Sequence, residues 1–528
     1  MASDRLLELS MLAAYLALLL WIGLRSARRI KTSDDYTLAG RGVGWVIVLA
    51  TTAVTMIGGG ASVGMASQVF AVGIAAALVT CAWHLQLIFT GLFVAPKLRG
   101  LNLITVGDYF HLKFGPLARE LAVINCMIFL VGVLAAQLAA IGTVTNTILG
   151  IPYGTGLLIG AAVTIFYATV GGVRAVVNTD VLQFVILVAG FGVASSLLLV
   201  QHGGFEAMLA AADPGQAGVT SHWSTTRLLS LFFAFLLGET FAPTYTVRCF
   251  IARNREHARW GVAGAGVFLL LFLPIATFIL GTSAQIDPDV QTAVSSEQNR
   301  ILQAAIATGQ EPRPDAALIQ ARQIVFPALV RSTFHPAFAG IMIAAIIAAV
   351  MSSADSCLSC FSTVIMEDTY RRHINEKASD HQLLRVAQVT TLVAGIMAVA
   401  CAWFFSNIAE ILVFVYDFWA PTMILPFLVA VFWYSPNRIH AVVVSMVVGA
   451  LATIWWRFGL GSPWDVGPAS FGVVAASVAF AVAVPLTRHL PARGLFKGIM
   501  YLSAHSACNV LIPQALTEDA SSSSSGGL

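Results

Sequence analysis

Charge is what this chain has least of. Asp, Glu, Lys and Arg make up 10% of its 528 residues, against about 25% in an average soluble domain. That excludes a solvated globular surface over most of its length. The formal net charge of +3 is too small for a nucleic-acid partner, which a basic face would have to attract. Cysteine is also sparse. All seven (Cys81, Cys126, Cys249, Cys357, Cys360, Cys401, Cys508) fall in apolar runs or on the side rich in basic residues, so no disulfide framework is expected. Cys357 and Cys360 form a C-x-x-C with no second pair and no histidine beside it, and read as small apolar filler on a helix. The chain shows no nucleophile–base pairing, no phosphate loop and no metal-ligand cluster, so it is not read as an enzyme.

Apolar sequence is what the chain has in abundance. Hydrophobic residues reach 58%, and runs of the roughly 20 residues needed to cross a bilayer recur throughout. The runs centre near Leu16, Gly58, Ile88, Leu134, Val163, Leu187, Leu237, Leu270, Ile347, Val393, Val413, Val447 and Ala476. They predict an all-α, polytopic membrane helical bundle of about 13 transmembrane helices, numbered here from span 0. The first run, Leu6 to Leu24, is not read as a secretion signal. Asp4, Arg5 and Glu8 precede or open it, and Arg25-Ser26-Ala27-Arg28-Arg29 follows in place of a small-residue cleavage site.

Basic residues cluster after alternate spans: Arg25, Arg28, Arg29 and Lys31, then Lys97 and Arg99, Arg174, Arg253 and Arg255, Arg371 and Arg372, Arg438, and Arg488. That bias predicts a multi-pass protein of the cell membrane with the N-terminus outside and the C-terminus cytoplasmic. The polar loop from Ala284 to Val330 is expected to cap the outer face. From Pro491 onward a moderately apolar piece, Leu495 to Val510, is expected along the inner membrane surface. Ser521 to Leu528 is low-complexity.

Two runs carry helix-loosening residues. Span 1 holds Gly58-Gly59-Gly60 with Thr51, Thr52, Thr55 and Ser62 around it, and span 6 holds Gly238-Glu239-Thr240 and Pro243-Thr244-Tyr245. Broken helices five spans apart fit two halves of opposite orientation, the arrangement that brackets a transporter's central site. Close helix packing at the glycines is the plainer alternative. Span 8 supplies a third signal, Ala348-Ala349-Val350-Met351-Ser352-Ser353-Ala354-Asp355-Ser356, with hydroxyls and a carboxylate inside an apolar helix. Ala349, Ser352 and Ser353 share one face at i, i+3, i+4. Hard oxygens of this kind suit a hard cation, and the first reading is an ion-coupled transporter.

Four motifs, in this order, resemble the sodium/solute symporter family: Asp35-Tyr36-Thr37-Leu38-Ala39-Gly40-Arg41 before span 1, Thr105-Val106-Gly107-Asp108-Tyr109-Phe110 after span 2, Gly171 to Asp180 between spans 4 and 5, and Val350 to Ser356 with Glu367-Asp368-Thr369-Tyr370 at the exit of span 8. The resemblance covers about residues 35 to 435. It implies a leucine-transporter-type fold with spans 1–5 and 6–10 as inverted five-helix repeats and broken helices 1 and 6. The expected organisation is an additional N-terminal transmembrane helix and linker (1–35), an inverted-repeat core (36–435), two further helices (436–490) and a cytoplasmic tail (491–528).

The resemblance also implies Na+ between spans 1 and 8, held by the carbonyls of Ala53, Met56 and Ala349 and the hydroxyls of Ser352 and Ser353. Some members have a second cation site, which falls here on Asp180, Ser352, Asp355 and Ser356. Asp355 departs from the hydroxyl usual there, and the two carboxylates can equally share a proton. Asp180 can alternatively pair with Arg174.

The implied solute site takes Gly58, Gly59, Ser62 and Gln68 from span 1, Trp83 and His84 from span 2, Glu239, Thr240, Thr244 and Tyr245 from span 6, and Tyr416 and Trp419 from span 10. A carboxylate beside aromatics suits an amine-bearing or zwitterionic solute. His84 can instead be a satisfied bundle histidine, and Trp83 and Trp419 packing residues. Asp417 reads as solvated near the outer face, and Arg248 as an anchor reaching the inner surface. The expected function is sodium-coupled import of a small organic solute. A proton-coupled carrier using Asp180 and Asp355 and a solute sensor without transport are the alternatives. The short stretch after the last span argues against an appended signalling domain.

Overall fold

A computed structural model describes residues 2–238, 240–307, 311–404, 408–463 and 466–490. Among them every regular element is a helix, joined by one isolated bridge between Val43 and Ala252. The reason is the solvent: backbone donors and acceptors that face lipid have no water to pair with, so they pair within the helix.

The chain opens with α1 (Ala2–Ala27) and a short α2 (Ser33–Leu38). α3 (Trp45–Met56) and α4 (Met65–Val72) then form one broken span, bent by 63° with a π-turn over Gly60–Gly64. α5 (Ile74–Phe89) and α6 (Ala95–Gly100) complete the next crossing, and α7 (Val106–Phe114) leads into α8 (Pro116–Leu149). α9 (Tyr153–Gln201) runs for 49 residues, about 74 Å at 1.5 Å per residue and more than twice a bilayer core. It breaks at Gly172 (φ 49°, ψ −156°), between the runs read as separate spans near Val163 and Leu187.

After α10 (Phe205–Ala211), a second break separates α11 (Thr225–Gly238) from α12 (Pro243–Ile251), where Pro243 starts the new helix. α13 (Arg255–Ile286) follows. The polar stretch expected to be a loop is helical: α14 (Pro288–Ala307), α15 (Pro314–Ala321) and α16 (Val325–Thr333). α17 (Pro336–Val364) continues as a π-helical exit over Ile365–Ile374. α18 (Asp380–Phe404), α19 (Ile408–Phe432), α20 (Ile439–Ile454) and α21 (Pro468–Thr487) complete the bundle. Ten helices among the described residues are long and apolar enough to cross a membrane, or eleven with the bent pair taken as one span. The C-terminal stretch from Pro491, including Leu495 to Val510, lies outside the described residues.

α17 is the most enclosed crossing. It packs against α1, α8 and α9, and every residue from Met342 to Val364 is buried. Local chemistry explains why the family motifs sit where they do. Thr32 caps α2 by accepting from Asp35 N, and Thr105 caps α7 by accepting from Asp108 N at 2.9 Å. A Cβ on Gly107 would lie 2.6 Å from Asp368 Oδ1, so only glycine lets α7 approach the exit of α17 this closely. There Arg372 pairs with Asp108 at 2.8 Å, and the buried Arg119 donates to the Asp368 carbonyl at 2.6 Å.

Candidate functional site between the broken helices and α17

The end of α3 frees carbonyls, because the helix stops at Met56 and resumes only after Gly59. α17 meets that end with its hydroxyl face. Ser352 Oγ donates to the carbonyl of Val54 at 3.0 Å and to that of Ala349 at 2.9 Å. Ser353 Oγ donates to the carbonyl of Thr55 at 2.7 Å and lies 3.5 Å from that of Ala349. The carbonyls reached are therefore those of Val54 and Thr55, flanked by Ala53 and Met56, while the Ala53 carbonyl accepts from Ile57 N at 3.3 Å. All of these residues are buried. Neutral, hard oxygens from two elements are brought side by side here, ligands of the type a sodium ion takes.

Toward the other end of the same face lies a charged network. Asp180 on α9 is fully buried; its Oδ2 accepts from Arg248 Nη2 at 3.2 Å and from the hydroxyl of Thr51. Arg248 is 2% exposed and donates also to Thr55 Oγ1 at 2.8 Å, to the Thr244 carbonyl at 2.9 Å and to Ser356 Oγ. Arg248 is thus no surface anchor. Its helix α12 is short and enclosed, so the guanidinium has no route to the interface and pairs inside. Arg174 pairs instead with Asp35 at 3.0 Å. Asp355 accepts from the hydroxyl of Tyr167 and from Ser356 Oγ at 3.3 Å, and no ion pair reaches it among the described residues. One guanidinium, paired with Asp180, is thus the cation of a region that buries two carboxylates, and Asp180 Oδ1 has no hydrogen-bond partner among the described residues.

Beside the break is a small cavity of about 30 Å³, lined by Gly58, Trp83, Gln137, Thr244, Tyr245 and Tyr416 together with Phe129 and Ser353. At roughly 10–15 Å³ per water it holds two or three waters. Trp83 stacks on Phe235 with ring centroids 4.4 Å apart, and Phe129 packs on Trp419 at 4.8 Å.

Of the other expected residues, Ser62 Oγ caps the break by donating to the Gly58 carbonyl at 2.9 Å, and Trp419 Nε1 donates to the Thr240 carbonyl at 3.0 Å across the break of span 6. Gly59 abuts α8, Gln68 is exposed, and Glu239 lies outside the described residues. His84 is buried, yet neither ring nitrogen has a partner among the described residues, unlike a satisfied bundle histidine. Asp417 is 3% exposed and not solvated; it pairs with Arg457 and accepts from Ala469 N at 3.0 Å. α21 covers that end of α19, a neighbour invisible in sequence. Sequence reasoning missed Gln137, whose Oε1 accepts from Gly59 N at 2.9 Å. An isolated amide in an apolar 34-residue helix was the available signal.

The description of the sodium:solute symporter family matches residues 36–449. The chain is 27% identical over 457 residues to the high-affinity proline transporter of Bacillus subtilis, covering 83% of this chain and 89% of that one. It is 25% identical over 476 residues to the sodium/glucose cotransporter of Vibrio parahaemolyticus, covering 85% and 84%. It is 26% identical over 414 residues to the high-affinity choline transporter 1 of Caenorhabditis elegans, covering 75% and 69%. A substrate-bound, outward-open sodium-coupled sialic acid symporter has the same fold, with a TM-score of 0.77 at 21% identity over 93% of this chain and 99% of that one.

Proposed function

The chain belongs to the sodium:solute symporter family, multi-pass membrane carriers that couple solute movement to sodium, and on that premise we propose that it imports a small amine-bearing or zwitterionic solute by alternating access. One observation carries the reading: the 63° break of span 1 meets Ser352 and Ser353 of α17. Sodium held there by the oxygens of residues 53–56 and by Ala349, Ser352 and Ser353 replaces the hydroxyl-to-carbonyl hydrogen bonds now present. It thereby resets the angle at the break, beside which the solute cavity lies. The two sites then tighten each other reciprocally. Inward release follows when the break and the inner halves of spans 1 and 6, α3 and α12, part from α17.

The solute class rests on the lining. Trp83, Phe129, Tyr245 and Tyr416 line the cavity, and aromatic rings suit an ammonium or apolar part; proline and choline are what two relatives carry by name. The topology in this reading has 13 spans, with α9 divided into two at Gly172 and the α11–α12 pair taken together as the broken span 6, spans 1–5 and 6–10 as inverted repeats, the N-terminus outside and the C-terminus cytoplasmic. A second monovalent cation belongs at Asp180, Asp355 and Ser356. Two buried carboxylates against the single Arg248 leave one negative charge to be met at a depth where an unmet charge is costly.

The test is uptake of labelled L-proline and choline into proteoliposomes under an inward sodium gradient, with potassium replacing sodium in the control. Sodium-dependent accumulation of either solute, lost in Ser352→Ala/Ser353→Ala, supports the reading. Accumulation driven by an inward proton gradient without sodium replaces it with proton coupling through Asp180 and Asp355.

A further inference from the structure

Gln137 sits where the two halves of the mechanism touch, and its amide is only half used. It is 4% exposed, on α8, and its Oε1 accepts from Gly59 N, a backbone donor stranded by the break. A primary amide has two N–H donors besides its acceptor. Among the described residues the bond from Gly59 N to Oε1 is the hydrogen bond the Gln137 side chain makes, and the side chain lines the cavity. On the far side of Gly58 lies Ser353. A Cβ on Gly58 would fall 2.7 Å from Ser353 Oγ and 2.9 and 3.0 Å from the two amide atoms of Gln137. The hydroxyl of Ser353 and the amide of Gln137 thus both crowd the same position on Gly58.

We propose that Gln137 is the positioning residue that carries sodium occupancy to the solute cavity, and that its free N–H donors hold a hydrogen-bond acceptor of the solute. The role rests on the sodium and cavity assignments above. Sodium takes a lone pair of Ser353, whose hydroxyl now donates to the Thr55 carbonyl at 2.7 Å. Releasing that bond moves the chain through Gly58 and Gly59, and the Gly59 N–H tows the Gln137 side chain with it. The amide then presents its donors to the cavity at the angle the occupied sodium site sets. No Lys or Arg lines the cavity among the described residues. Gln137 Nε2 and Trp83 Nε1, itself without a partner among the described residues, are therefore the N–H donors that meet a carboxylate or hydroxyl. The recognised class is an amine-bearing or zwitterionic solute that carries a carboxylate or hydroxyl acceptor.

Cys357 also lines the cavity and supplies a readout that needs no knowledge of the solute. Replacing Cys81, Cys126, Cys249, Cys360, Cys401 and Cys508 by Ala leaves it as the single thiol. Its labelling in proteoliposomes by a sulfonate-bearing and an ammonium-bearing methanethiosulfonate is timed with sodium or potassium, and radioactive sodium binding is measured alongside. Sodium is expected to change the labelling rate of the Gln137 protein. Gln137→Ala is expected to bind sodium while its labelling rate no longer responds, a loss of about tenfold, the size of one lost hydrogen bond to a buried group. Gln137→Glu keeps the acceptor for Gly59 N, so it retains the sodium response, but it reverses the preference between the sulfonate and ammonium reagents. A sodium response of full size in Gln137→Ala, or an unchanged reagent preference in Gln137→Glu, overturns the proposal. Absence of sodium binding in the Gln137 protein itself overturns the sodium site, and the proposal with it.

Discussion

The proposed sodium site rests on single atoms, the hydroxyl oxygens of Ser352 and Ser353. Each hydroxyl donates to a span 1 carbonyl and in the proposed site also serves as an oxygen ligand, so on that proposal removing it costs the ion a ligand without leaving a charge behind. Ser352→Ala and Ser353→Ala are each expected to raise the sodium concentration for half-maximal uptake about tenfold, equivalent to roughly 1.4 kcal/mol, with thermal stability nearly kept. Sodium titration of uptake checks this.

Arg248 behaves in the opposite way. It is held between Asp180, Thr55 and Ser356 with almost no exposure, and truncating one partner of a buried pair leaves the other charge unmet. Arg248→Met is expected to cost about 3–5 kcal/mol of stability, and adding Asp180→Asn to recover most of it. Detergent-solubilised thermal unfolding of the single and double variants measures both. Equal losses in the two would show that the pair is not energetically coupled.

At the scale of elements, the breaks matter more than the helices. Gly172 occupies φ 49°, and a Cβ there would lie 2.6 Å from the Tyr36 carbonyl. Gly172→Ala therefore has both a strained backbone and a clash with α2. A loss of about 1–3 kcal/mol is expected, read as a lower unfolding midpoint. α7, pinned against the exit of α17, carries His111, whose imidazole is held down to about 4 from 6.5 by burial and by Arg372 and Arg119. Because the folded value is depressed, the unfolded chain takes the proton first. Stability is fully present above about 6.5 and falls as the pH drops toward about 4. His111→Gln is expected to flatten that acid-side decline in the unfolding midpoint while leaving the midpoint near neutral pH unchanged.

For the whole molecule, coupling to sodium makes import a charge movement. Each net positive charge carried inward draws about 2.3 kcal/mol from 100 mV, close to fifty-fold in the solute ratio. Proteoliposomes with an inside-negative potassium diffusion potential are expected to accumulate solute faster than unpolarised ones, and equal rates would mean an electroneutral cycle. A count of charges per solute then separates one cation from two, and Asp355→Ala, which leaves no oxygen ligand at that position, is the variant expected to change it.

Much at this scale was legible beforehand. Apolar runs separated by basic clusters declare a membrane bundle, since nothing else tolerates so little charge over such length. Glycines and a proline at matching places declared both breaks, because they weaken a helix wherever it packs. The hydroxyl face of span 8 could be read from i, i+3, i+4 spacing alone, as periodicity is a property of the chain. Which carbonyls those hydroxyls reach, where Arg248 finds its carboxylate, that α21 shields Asp417, and that Gln137 closes on Gly59 were decided only by tertiary structure. Each is a contact between residues far apart in sequence, set by how the helices cross, and a helix's own pattern says which face is polar without saying what it will meet.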